Sequence, residues 1–310
     1  MSRRIWLPYP DVAAAEAAVG PVPDGLLVDG FLADGTWPDS IAEVELLVAP
    51  YMFPPGPVMA RVGEMTNLKA VQLLSAGYDN YLPFLPDGVQ LCNAAGVHDT
   101  STAELALALA LASTRHLDLY SRNMPSGTWG TDFATSLADR NVLIVGYGRI
   151  GAAIEKRLAS FEVGSITRVA RRARSGEVEV HPIEELASLL PRAEVVFVIT
   201  PLTPSTEHLI GAEELALLPD GALLVNVARG KVVDTDALLA ATRDGRIRAA
   251  LDVTDPEPLP DDHELWRTPG VLISPHVGGQ STAFVPRMER MVREQLARFA
   301  AGEPLLNVVA

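Results

Sequence analysis

One stretch narrows the folding possibilities of this chain more than any other. The apolar, β-branched run Val142-Leu143-Ile144-Val145 passes directly into Gly146-Tyr147-Gly148-Arg149-Ile150-Gly151 and then into a helical pattern. In a strand–GxGxxG–helix unit the first glycine makes the tight turn. The second lets backbone approach a pyrophosphate, and the third lets helix pack on strand. The anion then rests on backbone N–H groups at the helix N-terminus. Taken alone, such a loop can also be a glycine turn with no ligand, so the surrounding pattern decides. Apolar runs at 141–145, 166–170, 195–199, 222–227, 249–253 and 271–274 alternate with helical patterns at 152–161, 182–190, 212–217 and 235–243. Pro182 suits a first helical turn, and Pro191 and Gly245 suit helix ends. Strands with crossover helices in this order predict a doubly wound parallel sheet that binds a dinucleotide.

The preceding hundred residues give shorter apolar runs at 5–7, 26–28, 46–49, 71–75 and 89–93, bounded by Gly, Pro and Asp, with a helical piece at 11–19. They read as a second, smaller α/β layer. Residues 101–113 read as a helix in which Ser101 and Glu104 have capping-box spacing, with Glu104 as the cap. A polar, glycine-bearing loop follows at 122–130. The last stretch, 284–300, is helical and is expected to return to the first domain. A length of 310 residues fits two domains, 1–98 plus 284–310 and 99–283.

Composition narrows the function. Hydrophobic residues at 48% and charged residues at 21% argue against disorder, and a net charge of −14 lacks the clustered surplus of Lys and Arg that nucleic acid requires. No nucleic-acid partner is expected. Cys92 is the single cysteine, which excludes an internal disulfide and a Cys-based metal site and fits a reducing compartment. No metal is expected. The N-terminus reaches Pro8 too soon for a signal-peptide core, and the apolar stretch 103–112 is about half a membrane span. A cytoplasmic protein with no membrane partner is expected.

The second strand of the glycine-loop domain carries a cofactor clue. An NAD site usually places Asp or Glu about twenty residues past the glycines, on the ribose diol. Here the strand ends Val169-Ala170-Arg171-Arg172-Ala173-Arg174, with no acid between Val163 and Gly176. Arg171 and Arg172 suit a 2′-phosphate through charge-assisted bonds, so NADPH is the expected cofactor. The other reading makes these arginines a solvated face on a site that takes NAD.

Three later stretches place polar residues at strand ends, where open α/β sheets bind ligands: Asn226-Val227-Ala228-Arg229-Gly230, Asp252-Val253-Thr254-Asp255-Pro256-Glu257-Pro258, and Ser274-Pro275-His276-Val277-Gly278-Gly279. An arginine, an acid and a histidine converging on one crevice suit ketone reduction. With the glycine loop, and with Ser75-Ala76-Gly77-Tyr78-Asp79 and Asn93-Ala94-Ala95-Gly96-Val97 in the first half, these stretches make the chain resemble the D-isomer-specific 2-hydroxyacid dehydrogenase family over nearly its full length. The resemblance implies a flavodoxin-like substrate domain and a Rossmann cofactor domain, both α/β with doubly wound parallel sheets.

It also implies roles. Arg229 matches the arginine that holds the substrate carboxylate and keto oxygen, His276 the general acid/base, and Glu257 its carboxylate partner. A carboxylate favours imidazolium, which can protonate a developing alkoxide. The candidate cofactor set is Gly146, Gly148, Arg149, Ile150, Gly151, Thr200, Pro201, Val227, Ala228, Asp252 and Gly278, with Arg171 and Arg172 where the chain departs from the family's acidic ribose contact, and Thr102 as the candidate in a hinge (98–100) that departs from the commonest pattern. Arg149 in such a loop is more often a solvated residue over the pyrophosphate than a catalytic one. For substrate it implies Ser75, Ala76 and Gly77 beside Arg229 and His276, and Tyr51 and Met52 are pocket candidates.

The expected activity is NADPH-preferring reduction of a small 2-keto acid, such as glyoxylate or hydroxypyruvate, to the D-2-hydroxy acid, with NAD possible. Related activities on phosphite or phosphoglycerate, and a dinucleotide-sensing corepressor, are the alternatives. Glu257 argues against the formate branch, which carries Gln there. A homodimer is expected around residues 101–135, with Trp129 as either plain packing or a residue entering the neighbour's site. The other histidines, His98, His116, His181, His208 and His263, read as surface or capping residues.

Overall fold

The computed structural model describes residues 2–310 and divides into two compact units, Met1–His98 with Thr282–Ala310, and Asp99–Ser281. In the first, β1 (Arg3–Leu7), α1 (Val12–Val19), β2 (Leu26–Gly30), β3 (Val44–Val48), α2 (Pro55–Met59), β4 (Ala70–Gln72) and β5 (Gln90–Cys92) follow in order. All strand pairs are parallel, and the sheet order is β2-β1-β3-β4-β5. Asp11 caps α1 by accepting from the Ala14 amide at 2.8 Å.

The second unit contains α3 (Asp99–Thr114), α4 (Leu117–Asn123), β6 (Asn141–Val145), α5 (Arg149–Leu158), β7 (Ser165–Ala170), β8 (His181–Pro182), α6 (Leu186–Leu189), β9 (Val195–Val198), α7 (Ala212–Leu217), β10 (Leu223–Asn226), α8 (Thr235–Arg243), β11 (Arg248–Leu251) and β12 (Val271–Ile273). Its parallel sheet runs β12-β11-β10-β9-β6-β7-β8. The order reverses between β6 and β9, and a ligand crevice belongs at that point, beyond the carboxyl ends of the strands.

Alternation along each strand explains why apolar runs became strands here. Leu143, Val145, Val196, Val198, Leu224 and Leu251 pack into a core on one face, while Val142, Ile144, Val195, Phe197, Leu223 and Val225 pack into a core on the other. A strand buried on both faces reads as continuously apolar. The chain then returns to the first unit. Helix α9 (Phe284–Ala301) buries Met288, Met291, Val292, Leu296 and Phe299 against Ile5, Leu7, Leu46 and Val48. The tail beyond it runs antiparallel to β5: Val309 donates to Leu91, and Leu91 to Ala310, each at 2.8 Å.

Four local expectations are corrected. Ser101 and Glu104 form no capping box: α3 begins at Asp99, Ser101 is buried in its first turn with Oγ 2.6 Å from Ser281 Oγ, and Glu104 lies too far along to reach the first amides. The glycine-loop helix starts at Arg149 rather than 152. Pro182 ends β8 instead of opening a helix, and the crossover to β9 is the single turn α6 between 3₁₀ turns. His98 is neither a surface nor a capping residue. It is buried with Nε2 2.8 Å from the Leu74 carbonyl oxygen, its ring stacked with Phe284 and Tyr51. The chain around it closes an aromatic stack that local sequence does not reveal. Of the others, His263 does cap, its Nδ1 accepting from the Leu265 amide at 3.2 Å.

Candidate active site

The glycine loop owes its shape to two contacts that a side chain would destroy. Gly146 has φ +107°, and a Cβ there would lie 2.6 Å from the Ile199 carbonyl carbon. At Gly151 it would lie 2.8 Å from Gly146 O. Gly148 differs, since a Cβ there would meet nothing within 4 Å. The space above it is open, and α5 starts with no side-chain cap. Uncapped first-turn amides facing open space form an anion site. Across the crevice, the Thr200 hydroxyl is buried with no hydrogen-bond partner among the described residues. A pyrophosphate and nicotinamide ribose fit these features, so the residues present suit a dinucleotide.

Of the three arginines past β7, Arg171 and Arg172 are solvent-exposed. Arg174 is the one brought to the loop. Paired backbone bonds with Val180 at 3.0 and 2.9 Å fold it back, and its guanidinium donates to the Tyr147 carbonyl and lies 5.8 Å from the Tyr147 ring centroid. Sequence reasoning missed this placement because it depends on the turn through Val180. Arg149, the first residue of α5, donates from Nε to Asp99 Oδ2 at 2.8 Å.

The catalytic candidates occupy the ends of β10, β11 and β12. After β10, Asn226 shapes the turn: its Oδ1 accepts from the Ala228 amide and its Nδ2 donates to Arg229 O, both at 3.0 Å. Gly230 follows because the 254–255 backbone passes against it; a Cβ there would lie 1.9 Å from Thr254 O. That approach packs the Arg229 turn on the segment carrying Glu257. After β12, His276 adopts φ +53°, a left-handed conformation costly for a residue with a Cβ. It is held there by its amide bond to Asp252 O at 2.8 Å.

Asp252 is 2% exposed, and its carboxylate accepts from Ser274 Oγ at 2.6 Å, Val277 N at 2.9 Å and Gly278 N at 2.8 Å. Its contacts therefore build the histidine loop. Thr102 joins the same cluster, donating to Gly278 O at 3.3 Å. Val227 and Ala228 are buried behind Arg229, while Pro201 is exposed beside Thr200.

With that loop fixed, His276 Nδ1 lies 2.6 Å from Glu257 Oε1, both side chains about two-fifths exposed (41% and 40%). Burial pushes the Glu257 carboxyl upward. The hydrogen bond and charge of His276, the charge of Arg229 and the Thr254 backbone outweigh it and hold the carboxyl below its ordinary value. Pairing Nδ1 with a carboxylate leaves Nε2 as the nitrogen that exchanges a proton with a ligand. The second unit thus brings together the Arg229, Glu257 and His276 expected from sequence.

In the first unit, the loop after β4 is tied by its carbonyls. Ser75 Oγ donates to Gly77 O and Asn93 Nδ2 to Ala76 O, each at 2.7 Å. The Ala76 and Gly77 amides make no hydrogen bond among the described residues, which leaves two donors for an anionic group. Tyr51 follows β3 and stacks on Phe284 with ring centroids 4.2 Å apart, and Met52 is exposed with φ +64°. A cavity of about 330 Å³ lined by Leu143, Thr167, His181, Leu189 and Arg192 lies along β6 and β7, away from these strand ends.

Comparison with known proteins agrees with this geometry. Residues 107–278 match the family described as D-isomer specific 2-hydroxyacid dehydrogenase, NAD binding domain. A glyoxylate reductase of Korarchaeum cryptofilum is 35% identical over 267 residues, covering 82% of this chain and 80% of that protein. A D-isomer specific 2-hydroxyacid dehydrogenase from Xanthobacter autotrophicus Py2, solved with NADPH and MES, superposes with a TM-score of 0.82 at 32% identity, over 100% of this chain and 98% of that one. An NADPH-dependent glyoxylate/hydroxypyruvate reductase from Sinorhizobium meliloti, solved with NADP and sulfate, gives 0.83 at 26% identity, over 99% and 98%. A family model matched over more than half of the chain, together with relatives similar over most of its length, shows that the chain belongs to the D-isomer-specific 2-hydroxyacid dehydrogenase family.

Proposed function

We propose that this protein reduces small 2-keto acids with NADPH, glyoxylate (to glycolate) and hydroxypyruvate (to the D-2-hydroxy acid) foremost. The observation that carries the reading is the Glu257–His276 pair at 2.6 Å beside the Arg229 turn, at the carboxyl edge of the sheet that holds the glycine loop. Such a set performs one job well. Arg229 offers a planar fork to the substrate carboxylate and keto oxygen and stabilises negative charge on that oxygen. His276 delivers a proton from Nε2, and Glu257 stabilises the protonated ring and fixes its orientation. The bound nicotinamide supplies the hydride.

In this reading the second unit is the cofactor domain. Gly146, Gly148, Arg149, Ile150 and Gly151 cradle the pyrophosphate. Thr102, Thr200, Pro201, Val227, Ala228, Asp252 and Gly278 surround the nicotinamide half. Arg174 joins Arg171 and Arg172 in reading the 2′-phosphate. The first unit is the substrate domain, in which the Ala76 and Gly77 amides take the carboxylate and Tyr51 and Met52 bound the side-chain pocket. NADPH preference is supported by the arginines, the lack of a ribose-binding acid and the nucleotide in both solved relatives described above.

Among the described residues no helix is long and apolar enough to cross a membrane. Leu117, Met124, Trp129 and Phe133 are exposed on one segment, the composition expected of the homodimer interface. Initial rates with glyoxylate, hydroxypyruvate, pyruvate and phenylpyruvate, each with NADPH and NADH, test the reading. A higher kcat/KM with NADPH than with NADH, and with glyoxylate and hydroxypyruvate than with pyruvate and phenylpyruvate, is expected. NADH preference makes the arginines a solvated face, and no turnover with any of the acids overturns the substrate assignment.

A further inference from the structure

Arg149 is the first residue of α5, so its side chain departs from the uncapped helix end that the cofactor reading gives to the pyrophosphate. It is 67% exposed along its side chain, whereas its partner Asp99 is only 17% exposed. The acid is therefore the fixed member of the pair and the arginine the mobile one. Asp99 is fixed because it begins α3, whose first turn is tied down at two more points: Ser101 to Ser281 at 2.6 Å and Thr102 to Gly278 at 3.3 Å. The bond runs from Nε alone, at 2.8 Å. Nη1 and Nη2, the two nitrogens best disposed for a bidentate grip on paired phosphate oxygens, keep their hydrogens for another acceptor.

We infer that Asp99 is a positioning residue for the dinucleotide: it grips Arg149 through Nε and presents the rest of the guanidinium to the pyrophosphate. A free arginine on this exposed turn would sample many rotamers and lose that freedom on binding the anion. The Asp99 bond removes part of that loss in advance. The cost is a carboxylate near an anion site, so the two effects oppose each other and the sign of the substitution reports which one governs. The larger effect is orientation, because Asp99 Oδ2 is engaged by Arg149 Nε at 2.8 Å.

This inference rests on the dinucleotide reading, and the test separates the two. NADPH fluorescence titrations give Kd for the wild type, Asp99→Ala, Asp99→Asn, Arg149→Ala and the double Asp99→Ala/Arg149→Ala variant. Isothermal titration with adenosine 2′-monophosphate, which lacks the pyrophosphate, serves as the control. Asp99→Ala is expected to weaken NADPH about three- to tenfold, the scale of a surface ion pair that orients a ligand group. Asp99→Asn, whose amide oxygen still accepts from Nε, recovers part of that loss. The double variant matches Arg149→Ala, and adenosine 2′-monophosphate binds all five proteins alike. Unchanged or tighter NADPH binding in Asp99→Ala overturns the inference, as does an equal loss for adenosine 2′-monophosphate or a further loss in the Arg149→Ala background. Failure of the wild type to bind NADPH at all overturns the dinucleotide reading instead.

Discussion

The Glu257 carboxyl is held below its ordinary value by His276, Arg229 and the Thr254 backbone against the upward push of burial. A depressed carboxyl contributes to the folded site above its unfolded value, about 4.3, and that contribution is lost as pH falls through the lower folded value. The pair with His276 is therefore expected to survive to below about pH 4.3, and kcat to fall on an acid limb beneath it. In Glu257→Gln that limb disappears while kcat drops about 10–100-fold across the range, the usual effect of losing the partner that orients a working histidine. An acid limb of unchanged position in the variant would show that another group sets it. Cys92 gives a second test. It is fully buried, with its thiol pushed up to about 11 by burial, so a thiol reagent at pH 8 is expected to label the protein only after denaturation. Fast labelling of the folded protein would place Cys92 elsewhere. Arg229, Glu257 and His276 were legible in the sequence because each stands in a spaced motif. Asp252 was read from the sequence as a cofactor contact; its grip on Ser274, Val277 and Gly278 was not legible, because it joins segments more than twenty residues apart. His98 was misread because the partners that bury it, Tyr51, Leu74 and Phe284, come from three distant segments.

Among the elements, the turn after β10 is the tightest constraint. Gly230→Ala places a methyl where Thr254 O already lies, at 1.9 Å, so the Arg229 turn and the Glu257 segment must part. A backbone clash has no side-chain relief, and a loss of about 2–4 kcal/mol with near-complete loss of turnover is expected, read by thermal melt and steady-state rates. A variant as active and stable as the wild type would contradict the close packing. Asp252→Asn keeps the shape but offers an N–H₂ to a site built from donors. It is expected to cost about 1.5–3 kcal/mol and to lower kcat by misplacing His276, with NADPH Kd changing less than kcat. The β–α rhythm of the second unit was legible because strands buried on both faces are continuously apolar, a signal strong enough to locate six of its seven strands to within a residue or two. What was not legible depended on partners elsewhere. The two-residue strand β8 exists because β7 lies beside it, and the crossover before β9 is too short to show a helical period. Ser101 and Glu104 had the spacing of a cap, but the helix had already begun at Asp99, a start that spacing could not locate.

For the whole molecule, the exposed 117–133 segment sets an assembly prediction. Sedimentation is expected to give a dimer for the wild type and a monomer for a Met124→Asp/Trp129→Asp/Phe133→Asp variant that still melts cooperatively, whereas a monomeric wild type contradicts the interface. Saturating NADPH is expected to raise the melting free energy by about 2.7 kcal/mol at a hundredfold excess over Kd, with less from NADH at the same concentration. The most direct test of the account compares wild type and His276→Ala in NADPH-dependent reduction of glyoxylate and hydroxypyruvate, with NADPH Kd measured on both. A kcat loss of about 10²–10⁴-fold with Kd nearly unchanged is expected if His276 delivers the proton rather than holding the cofactor. Undiminished turnover in His276→Ala on both acids would contradict it.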